Sequence, residues 1–261
     1  MMKKKLYNPF LIWLAMLLGM FLFDKIFLIL HFQTSHQVFF QDLFLLLLFY
    51  IFNKKFLHVS FIEIVHQNFF SIFKVNIVPI ILSTVLVLDA FFLISERNSK
   101  VVDAITIAGS AAIFEEFFFR GLLLNMFLIR IEKITRVDLL AVSLFTSLMF
   151  GFSHIVNLHV QSLSGTLFQM FSAFALGMLL ASVYLRTGSL IYPAIFHFIL
   201  DFSTILIKGF ITTSPTKQAF LSSVVLELVY ILTSVILLKN SKTSQLVNKN
   251  VSVFNKKCEN C

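Results

Sequence analysis

Six of the ionisable side chains within the long apolar segments of the sequence could take part in chemistry, although such segments are a costly position for a charged group. They are Glu115, Glu116, Arg120, His154, His197 and Asp201. A charge at the centre of a membrane helix costs about 2.5–3.5 kcal/mol on insertion scales. Such residues therefore need either a partner or a function, and these six are the candidates for chemistry.

The spacing of the six residues predicts which of them pair. An α-helix turns by about 100° per residue, so Glu116 and Arg120 lie about 40° apart, whereas Glu115 lies about 140° from Arg120. We therefore predict that Arg120 neutralises Glu116 and that Glu115 stays available. His197 and Asp201 are also four residues apart and share one helix face.

Carboxylates and imidazoles gathered within a membrane support several routes to the hydrolysis of an amide. A carboxylate can take a proton from water. Two imidazoles and a carboxylate can hold a divalent metal such as zinc, which would make His154, His197 and Glu115 the ligands. Alternatively, a histidine and an acid can stabilise an oxyanion. The sequence contains no His-Glu-x-x-His motif and indicates no Ser or Cys nucleophile.

Structural interpretations compete with these chemical ones. Buried ion pairs can lock helices together, which would explain Glu116 and Arg120 completely but the other four candidates less well. Five further ionisable residues in the apolar segments are interpreted as structural. Asp24 and Lys25 would form a neutralising pair near one membrane face, and the other three lie singly near segment ends: Asp42, Asp89 and Glu227.

The composition indicates a membrane protein. Hydrophobic residues make up 58% of the 261-residue chain and charged residues only 13%, whereas soluble domains contain about 45–50% and about 25%. Few Gly and Pro residues interrupt the apolar runs, and the alternation typical of an outer-membrane barrel is missing, so helices are expected. The net charge of +8 lies in short loops, which favours anionic lipid over nucleic acid as its partner.

The apolar runs predict an all-α, polytopic membrane protein with about eight transmembrane helices and an active site between helices within the bilayer. The predicted spans are 9–31, 38–52, 75–95, 104–129, 139–157, 165–185, 189–208 and 219–238. Residues 1–100 form the N-terminal helices, with an amphipathic interfacial segment at 53–74. Residues 101–210 form a catalytic core, 211–238 the last helix, and 239–261 a polar cytoplasmic tail that we expect to be disordered.

The positive charges predict the topology. Of the 21 Lys and Arg residues, 15 fall in the segments that would be cytoplasmic if the N-terminus is inside, and 4 fall in the opposite segments. This bias follows the positive-inside rule. We therefore expect a multi-pass protein of the cell membrane with both termini in the cytoplasm.

Depth supports a shared site. At about 1.5 Å per residue from the cytoplasmic end of each helix, Glu115 lies about 22 Å deep, His154 about 24 Å and Asp201 about 20 Å, with His197 at about 13 Å. Three separate helices would thus place polar groups in one overlapping layer.

Three motifs in order resemble those of a known family. They are Glu115-Glu116-x-x-x-Arg120, Phe150-x-x-x-His154 and His197-x-x-x-Asp201. The family is the CAAX-prenyl endoprotease and bacteriocin-processing (CPBP) group, also called Abi, and the resemblance covers about residues 105–205. The string from Arg186 to Pro193 also looks typical of it.

The resemblance implies an intramembrane endopeptidase. On the matching positions, Glu115 would be the general base, His154 would share the catalytic water, and His197 with Asp201 would form the oxyanion or second-histidine element. Glu116 and Arg120 would be supporting. The third motif allows Asn or Asp at its last position, and the Asp of this chain makes an acid or ligand role an alternative to a neutral donor. Zinc and glutamate-activated water remain open alternatives.

Two functions other than proteolysis are alternatives for these residues. A non-enzymatic bacteriocin self-immunity protein or scaffold could use the same fold, although intact motif positions favour activity. A transporter or proton relay could use the same acids and histidines, but the sequence shows no internal repeat and no pair of broken helices. The expected partners of the protease are the lipid bilayer and a membrane-associated, lipid-modified or leader peptide. Nucleic acid is not expected.

Overall fold

The computed structural model describes residues 7–31, 34–61, 69–93, 101–209, 217–239, 243–245 and 247–249. Within these ranges the chain is helical and contains no strand, which confirms the predicted all-α class. The α-helices in chain order are α1 (Pro9–Ile29), α2 (Thr34–Phe52), α3 (Phe69–Leu93), α4 (Val101–Glu115), α5 (Asn125–Leu128), α6 (Arg136–Ser153), α7 (Leu163–Thr187), α8 (Ile191–Lys208) and α9 (Lys217–Leu238).

Three segments wind differently from an α-helix. A π-helix at Asn53–Leu57 continues α2, and a second π-helix at Glu116–Leu124 joins α4 to α5. A 3₁₀-helix at His154–His159 follows α6. Helical winding is therefore continuous from Val101 to Leu128, and the second π-helix, hereafter the Glu116 π-helix, occupies its middle.

The helices agree closely with the predicted spans. Among the described residues, six helices are long and apolar enough to cross a membrane: Pro9–Phe27, Thr34–Leu57, Phe70–Asp89, Arg136–His159, Leu163–Thr187 and Phe220–Leu238. Ile191–Ile207 is a shorter apolar helix, and the continuous helix of residues 101–128 corresponds to the remaining predicted span. The chain is thus a polytopic membrane protein, while eight crossings stay a prediction.

Helix α7 is the centre of the bundle. Every residue from Ala175 to Leu185 is buried, and α7 contacts α3, α6, α8 and α9. Two glycines allow α6 and α7 to approach closely. A Cβ on Gly151 would stand 2.6 Å from the carbonyl oxygen of Met170, and a Cβ on Gly177 would stand 3.0 Å from the Cβ of Ser147. Small residues at such crossings let membrane helices pack closely against each other.

Local signals fix the ends of α6 and α7. Thr135 and Asp138 form a capping box at the start of α6, and the Ser162 hydroxyl accepts from the Gly165 N–H at the start of α7. At the other end of α7, Gly188 adopts a φ of 65°, a left-handed conformation that glycine adopts without a steric penalty. These ends set where the helices that carry the candidate site begin and stop.

The outer helices present apolar side chains to their surroundings. Large exposed hydrophobic residues are frequent on α1, α2, α3 and α9, including Leu11, Phe70 and Ile236. In water such a surface would be unfavourable, whereas lipid tails solvate it. The polar candidates lie on the helix of residues 101–128, on α8 and at His154, which directly follows α6.

Two predictions outside the core have mixed outcomes. Residues 62–68 of the predicted interfacial segment lie outside the described residues, and Asn53–Leu57 belongs to the helix that continues α2. The prediction of a disordered tail is wrong for residues 243–245 and 247–249, which are helical. There Asn248 pairs with both backbone groups of Ile134, at 2.8 Å to its nitrogen and 2.7 Å to its oxygen, and Val247 is fully buried.

Candidate active site

His197 is the meeting point of the candidate residues. Its Nδ1 lies 2.9 Å from Oε1 of Glu116, and its Nε2 lies 3.5 Å from Oε2 of Glu115 and 3.4 Å from Oδ2 of Asp201. The residue is 2% exposed. Three carboxyl groups thus surround one buried ring, with two from consecutive residues of one helix and the third from the next turn of α8.

Arg120 supplies the opposite charge. Its Nη1 lies 2.6 Å from Oε1 of Glu116, and its Nη2 donates to the carbonyl oxygen of Gly177 on α7 at 3.2 Å. Oε1 of Glu116 therefore accepts from both Arg120 and His197. A buried carboxylate is costly unless it is paired and hydrogen-bonded. These two donors pair Oε1 of Glu116, whereas its Oε2 is buried without a hydrogen-bond partner among the described residues.

The aromatic ring of Phe150 packs against the charged and imidazole groups of the site. The guanidinium of Arg120 lies over its ring at 4.7 Å from the centroid. The rings of His154 and His197 meet Phe150 edge to face, with centroids 5.2 and 5.7 Å away. A cation over the face of an aromatic ring is attracted by its quadrupole. Phe150 thus contacts the cation and both histidines of the site.

His154 begins the 3₁₀-helix that follows α6. Its Nδ1 lies 3.0 Å from the carbonyl oxygen of Phe150. A carbonyl oxygen can only accept, so Nδ1 carries the hydrogen and Nε2 of the neutral ring keeps its lone pair. The sequence places His154 next to Ser153, whose hydroxyl accepts from the indole N–H of Trp13 at 2.9 Å, tying α1 to this end of α6.

Exposure divides the six residues into two groups. Glu116, Arg120 and His197 are almost completely buried, whereas the side chain of Glu115 is 17% exposed and that of Asp201 is 37% exposed. His154 is half-buried. A molecule approaching from outside the bundle would therefore meet Glu115, Asp201 and His154 first, and the buried three residues lie behind them.

The geometric predictions from spacing are largely confirmed. Arg120 pairs with Glu116, and His197 contacts Asp201 one turn away. Among the described residues Glu115 forms no ion pair with Arg120 and contacts His197 instead. Uniform α-helical winding is wrong, however, because the π-helix begins at Glu116. Such segments are rare and occur frequently at functional sites.

The structure brings together most of the residues that were predicted to share one layer of the membrane. Glu115, Glu116, Arg120, His197 and Asp201 form one connected cluster. His154 joins it through Phe150 rather than through a direct bond to Glu115. The role of Gly177 was missed, because a backbone carbonyl that accepts from a distant arginine leaves no signal in sequence spacing.

The other ionisable residues of the spans lie outside this cluster. Asp24 accepts from Gln37 at 3.1 Å, and Lys25 lies over the ring of Phe21. Among the described residues the predicted Asp24–Lys25 pair therefore interacts through space and not by a direct ion pair. Asp42 is buried and accepts from the Ser110 hydroxyl at 2.8 Å. Similarly, Glu227 accepts from the hydroxyl of Ser172. Asp89 is exposed on α3.

A metal ion requires several side-chain donors that point to one place. In the part of the chain that the structure describes, no three His, Cys, Asp or Glu side chains are arranged to hold a metal ion. Nδ1 of His154 faces a carbonyl oxygen, and both nitrogens of His197 face carboxylates. A metal centre built from His154, His197 and Glu115 therefore stays a prediction from the sequence, and metal removal tests it.

Comparison with known proteins gives one family match. Residues 97–203 match the family described as Type II CAAX prenyl endopeptidase, Rce1-like. The chain matches no curated protein and no solved structure. The matched segment includes all three motifs and all six candidate residues. It runs from residues just before α4 into α8, which are the helices that assemble the cluster. Over this segment the chain is similar to the CAAX prenyl endopeptidases, a family of membrane proteases.

Proposed function

We propose that this protein hydrolyses a peptide bond of a membrane-associated substrate with a water molecule activated by Glu115. The observation that carries the proposal is the contact between Glu115 and His197. Behind this contact, Arg120 neutralises Glu116. Glu115 is partly exposed and has no cation of its own within its helix, so it can receive a proton that Glu116 cannot.

Charge balance is compatible with an ionised Glu115. Arg120 and a protonated His197 carry two positive charges, which balance the carboxylates of Glu115 and Glu116. A third carboxylate would leave a net negative charge within the bilayer, where unbalanced charge is costly. The same count would hold with Glu115 neutral instead, so the placement of the proton on Asp201, as an O–H group that can donate, is part of the proposal.

The proposed reaction begins when Glu115 removes a proton from water and the oxygen attacks the carbonyl carbon of the peptide. Nε2 of His154 accepts from the same water and orients it. The O–H of Asp201 donates to the oxyanion of the tetrahedral intermediate. The protonated Glu115 then returns its proton to the departing nitrogen as the C–N bond breaks, which leaves a new carboxyl group and a free amine.

His197 and Arg120 act behind the reacting face in this proposal. His197 holds Glu115 and Asp201 through Nε2, while Glu116 fixes the ring through Nδ1. Such pre-organisation lowers the cost of reorientation during the reaction. Lipid-modified peptides, leader peptides and other membrane-associated peptides are the proposed substrate class, because the cluster lies among apolar helices.

The proposed setting is a cell membrane with both termini in the cytoplasm, which rests on the distribution of Lys and Arg. Single cysteines introduced at Lys133 and Lys249, in a chain whose native tail cysteines are replaced by serine, should react with an impermeant thiol reagent only from the cytoplasmic side. Cysteines at Asn157 and Ser214 should react from outside. Labelling at Lys133 from outside would contradict the topology.

Comparative peptidomics tests the function while the substrate is still unidentified. Membranes that carry the wild-type chain should contain cleaved peptides that are missing from membranes carrying Glu115→Ala at equal abundance. Glu227→Gln is the matched control, since it neutralises a buried acid on α9 outside the cluster. Identical peptide profiles for wild type and Glu115→Ala would favour a non-enzymatic role instead.

A further inference from the structure

The Glu116 π-helix carries Glu116 and Arg120 and begins immediately after Glu115. Its winding therefore sets the directions in which both carboxylates point toward His197. π-helices are rare and occur frequently at functional sites, and the contacts that hold this segment also control the geometry of the candidate site.

Asn125 provides such support at the end of the segment. Its Nδ2 lies 2.9 Å from the carbonyl oxygen of Arg120, 2.8 Å from that of Gly121 and 2.9 Å from the hydroxyl of Tyr184. Because both carbonyl oxygens can only accept, the amide nitrogen must face them, which fixes the orientation of the side chain. Asn125 is 2% exposed and Tyr184 is fully buried.

The backbone explains why a side-chain donor is needed here. In π-helical winding, the N–H five residues after Arg120 would bond to the carbonyl of Arg120. That N–H belongs to Asn125, and it bonds to the carbonyl of Leu122 three residues earlier, in a 3₁₀-type turn at the end of the π-helix. The side-chain amide of Asn125 therefore supplies a donor to the Arg120 carbonyl at the point where the backbone N–H of the same residue bonds to Leu122.

Helix α7 holds the Glu116 π-helix at two points. The Gly177 carbonyl accepts from the Arg120 guanidinium, and two turns later Tyr184 contacts the Asn125 amide. Both points lie in the fully buried stretch of α7. Arg120 is thus held to α7 in two ways. Its side chain bonds to Gly177 directly, and its backbone carbonyl is linked to Tyr184 through Asn125. The same guanidinium pairs with Glu116.

We propose that Asn125 and Tyr184 are positioning residues for the active site, a role that rests on the proposed function. They hold the backbone of Arg120 so that Glu116 fixes His197, and His197 in turn orients Glu115. Their loss should misplace the reacting carboxylate while leaving the groups that meet the substrate chemically intact.

The test uses Tyr184→Phe, which removes one hydroxyl, and Asn125→Leu, which removes the amide at similar size. Tyr230→Phe is the matched control on α9. Asn76→Leu is the matched control on α3, because Asn76 is equally buried and its Nδ2 also bonds to a carbonyl four residues earlier, at 2.8 Å. All variants are prepared as the full chain in lipid nanodiscs.

Two measurements are made on each variant. Amide hydrogen exchange over residues 116–124 should become faster in Tyr184→Phe and Asn125→Leu and stay at the wild-type rate in the two controls. The turnover number per folded molecule should fall by about tenfold or more in Tyr184→Phe and Asn125→Leu, with KM changed by less than about twofold, because misplacement by about 1 Å costs the chemical step rather than binding.

Unchanged exchange in Tyr184→Phe would overturn the proposal, even if Asn125→Leu failed to fold. Faster exchange with a wild-type turnover number would overturn it as well, because the site would then not depend on the Asn125–Tyr184 contact. An inactive wild-type chain would count against the proposed function alone, since hydrogen exchange tests the hold on the Glu116 π-helix without any substrate.

Discussion

Oε1 of Glu116 lies 2.9 Å from Nδ1 of His197, although the two residues are 81 positions apart in the chain. The same oxygen accepts from Arg120 on its own helix. This shared acceptor couples the helix of residues 101–128 to α8 and fixes one side of the imidazole. The other side of the ring is left to face Glu115 and Asp201.

Removal of Arg120 should destabilise the protein. Arg120→Met leaves Glu116 as a buried carboxylate without its main counter-ion, and breaking such a pair costs about 3–5 kcal/mol. We expect lower abundance in the membrane and a lower melting temperature in detergent. The double variant Arg120→Met/Glu116→Gln removes both charges and should recover much of the loss. Wild-type melting of Arg120→Met would contradict the assigned ion pair.

Asp201 should tolerate an amide better than an apolar side chain. If Asp201 donates as a neutral acid, Asp201→Asn keeps a donor at the same place, so the turnover number should stay within about tenfold of wild type. Asp201→Leu removes the donor and should lower turnover by about 10²–10³. Turnover of purified protein at equal folded amounts measures the difference. Equal losses in both variants would show that the carboxylate itself is required.

Gly177 should resist substitution because of its neighbours. A Cβ there would stand 3.1 Å from Cδ1 of Phe150 and 3.0 Å from Cβ of Ser147. Overpacking of this kind typically costs about 1–3 kcal/mol, and it would push Phe150 against Arg120 and the histidines. Gly177→Ala should therefore lower both the melting temperature and activity.

Gly109 is the control for that substitution. Its Cβ would meet only Phe198, at 4.0 Å, which is ordinary van der Waals contact. Gly109→Ala should therefore be neutral or stabilising, by up to about 1 kcal/mol, because alanine favours a helix more than glycine does. If both alanine variants melted at the wild-type temperature, close packing at Gly177 would not matter for stability.

Metal removal should leave activity unchanged in the glutamate-activated mechanism. Prolonged treatment with a chelator, followed by assay in metal-free buffer, should give the wild-type rate, and added zinc should not raise it. A loss of activity that zinc restores would instead support a centre built from His154, His197 and Glu115. In that case His154→Ala should weaken the restoration by zinc. Elemental analysis of the purified protein is the accompanying check.

Some features of the fold and of the site could be predicted from the sequence, and others could not. Hydrophobic runs predict the helices well, because lipid requires long apolar segments with internally bonded backbone. Four-residue spacing predicts the Arg120–Glu116 pair, since the partners share one helix. The pairing of Glu116 with His197 could not be predicted, because it depends on how α8 packs against the helix of residues 101–128.

Other features depend on contacts that spacing does not encode. The π-helix begins at Glu116 within a segment whose residue types would also suit an α-helix, and its support by Tyr184 comes from α7. The tail looked too polar to fold, yet Asn248 pairs with the backbone of Ile134 across 114 residues. Composition does not predict that a single amide side chain will find two hydrogen-bond partners.

Hydrolysis by purified protein with and without the Glu115 carboxylate tests the central claim most directly. Wild type, Glu115→Gln and Glu227→Gln are reconstituted in liposomes and given a peptide identified by the membrane peptidomics. Glu115→Gln should fold normally, because a neutral amide is cheaper to bury than a carboxylate. Loss of a general base costs about 10²–10⁴ in rate, so its turnover should fall by at least about 100-fold while Glu227→Gln keeps the wild-type rate. Full activity of Glu115→Gln would contradict the proposed mechanism.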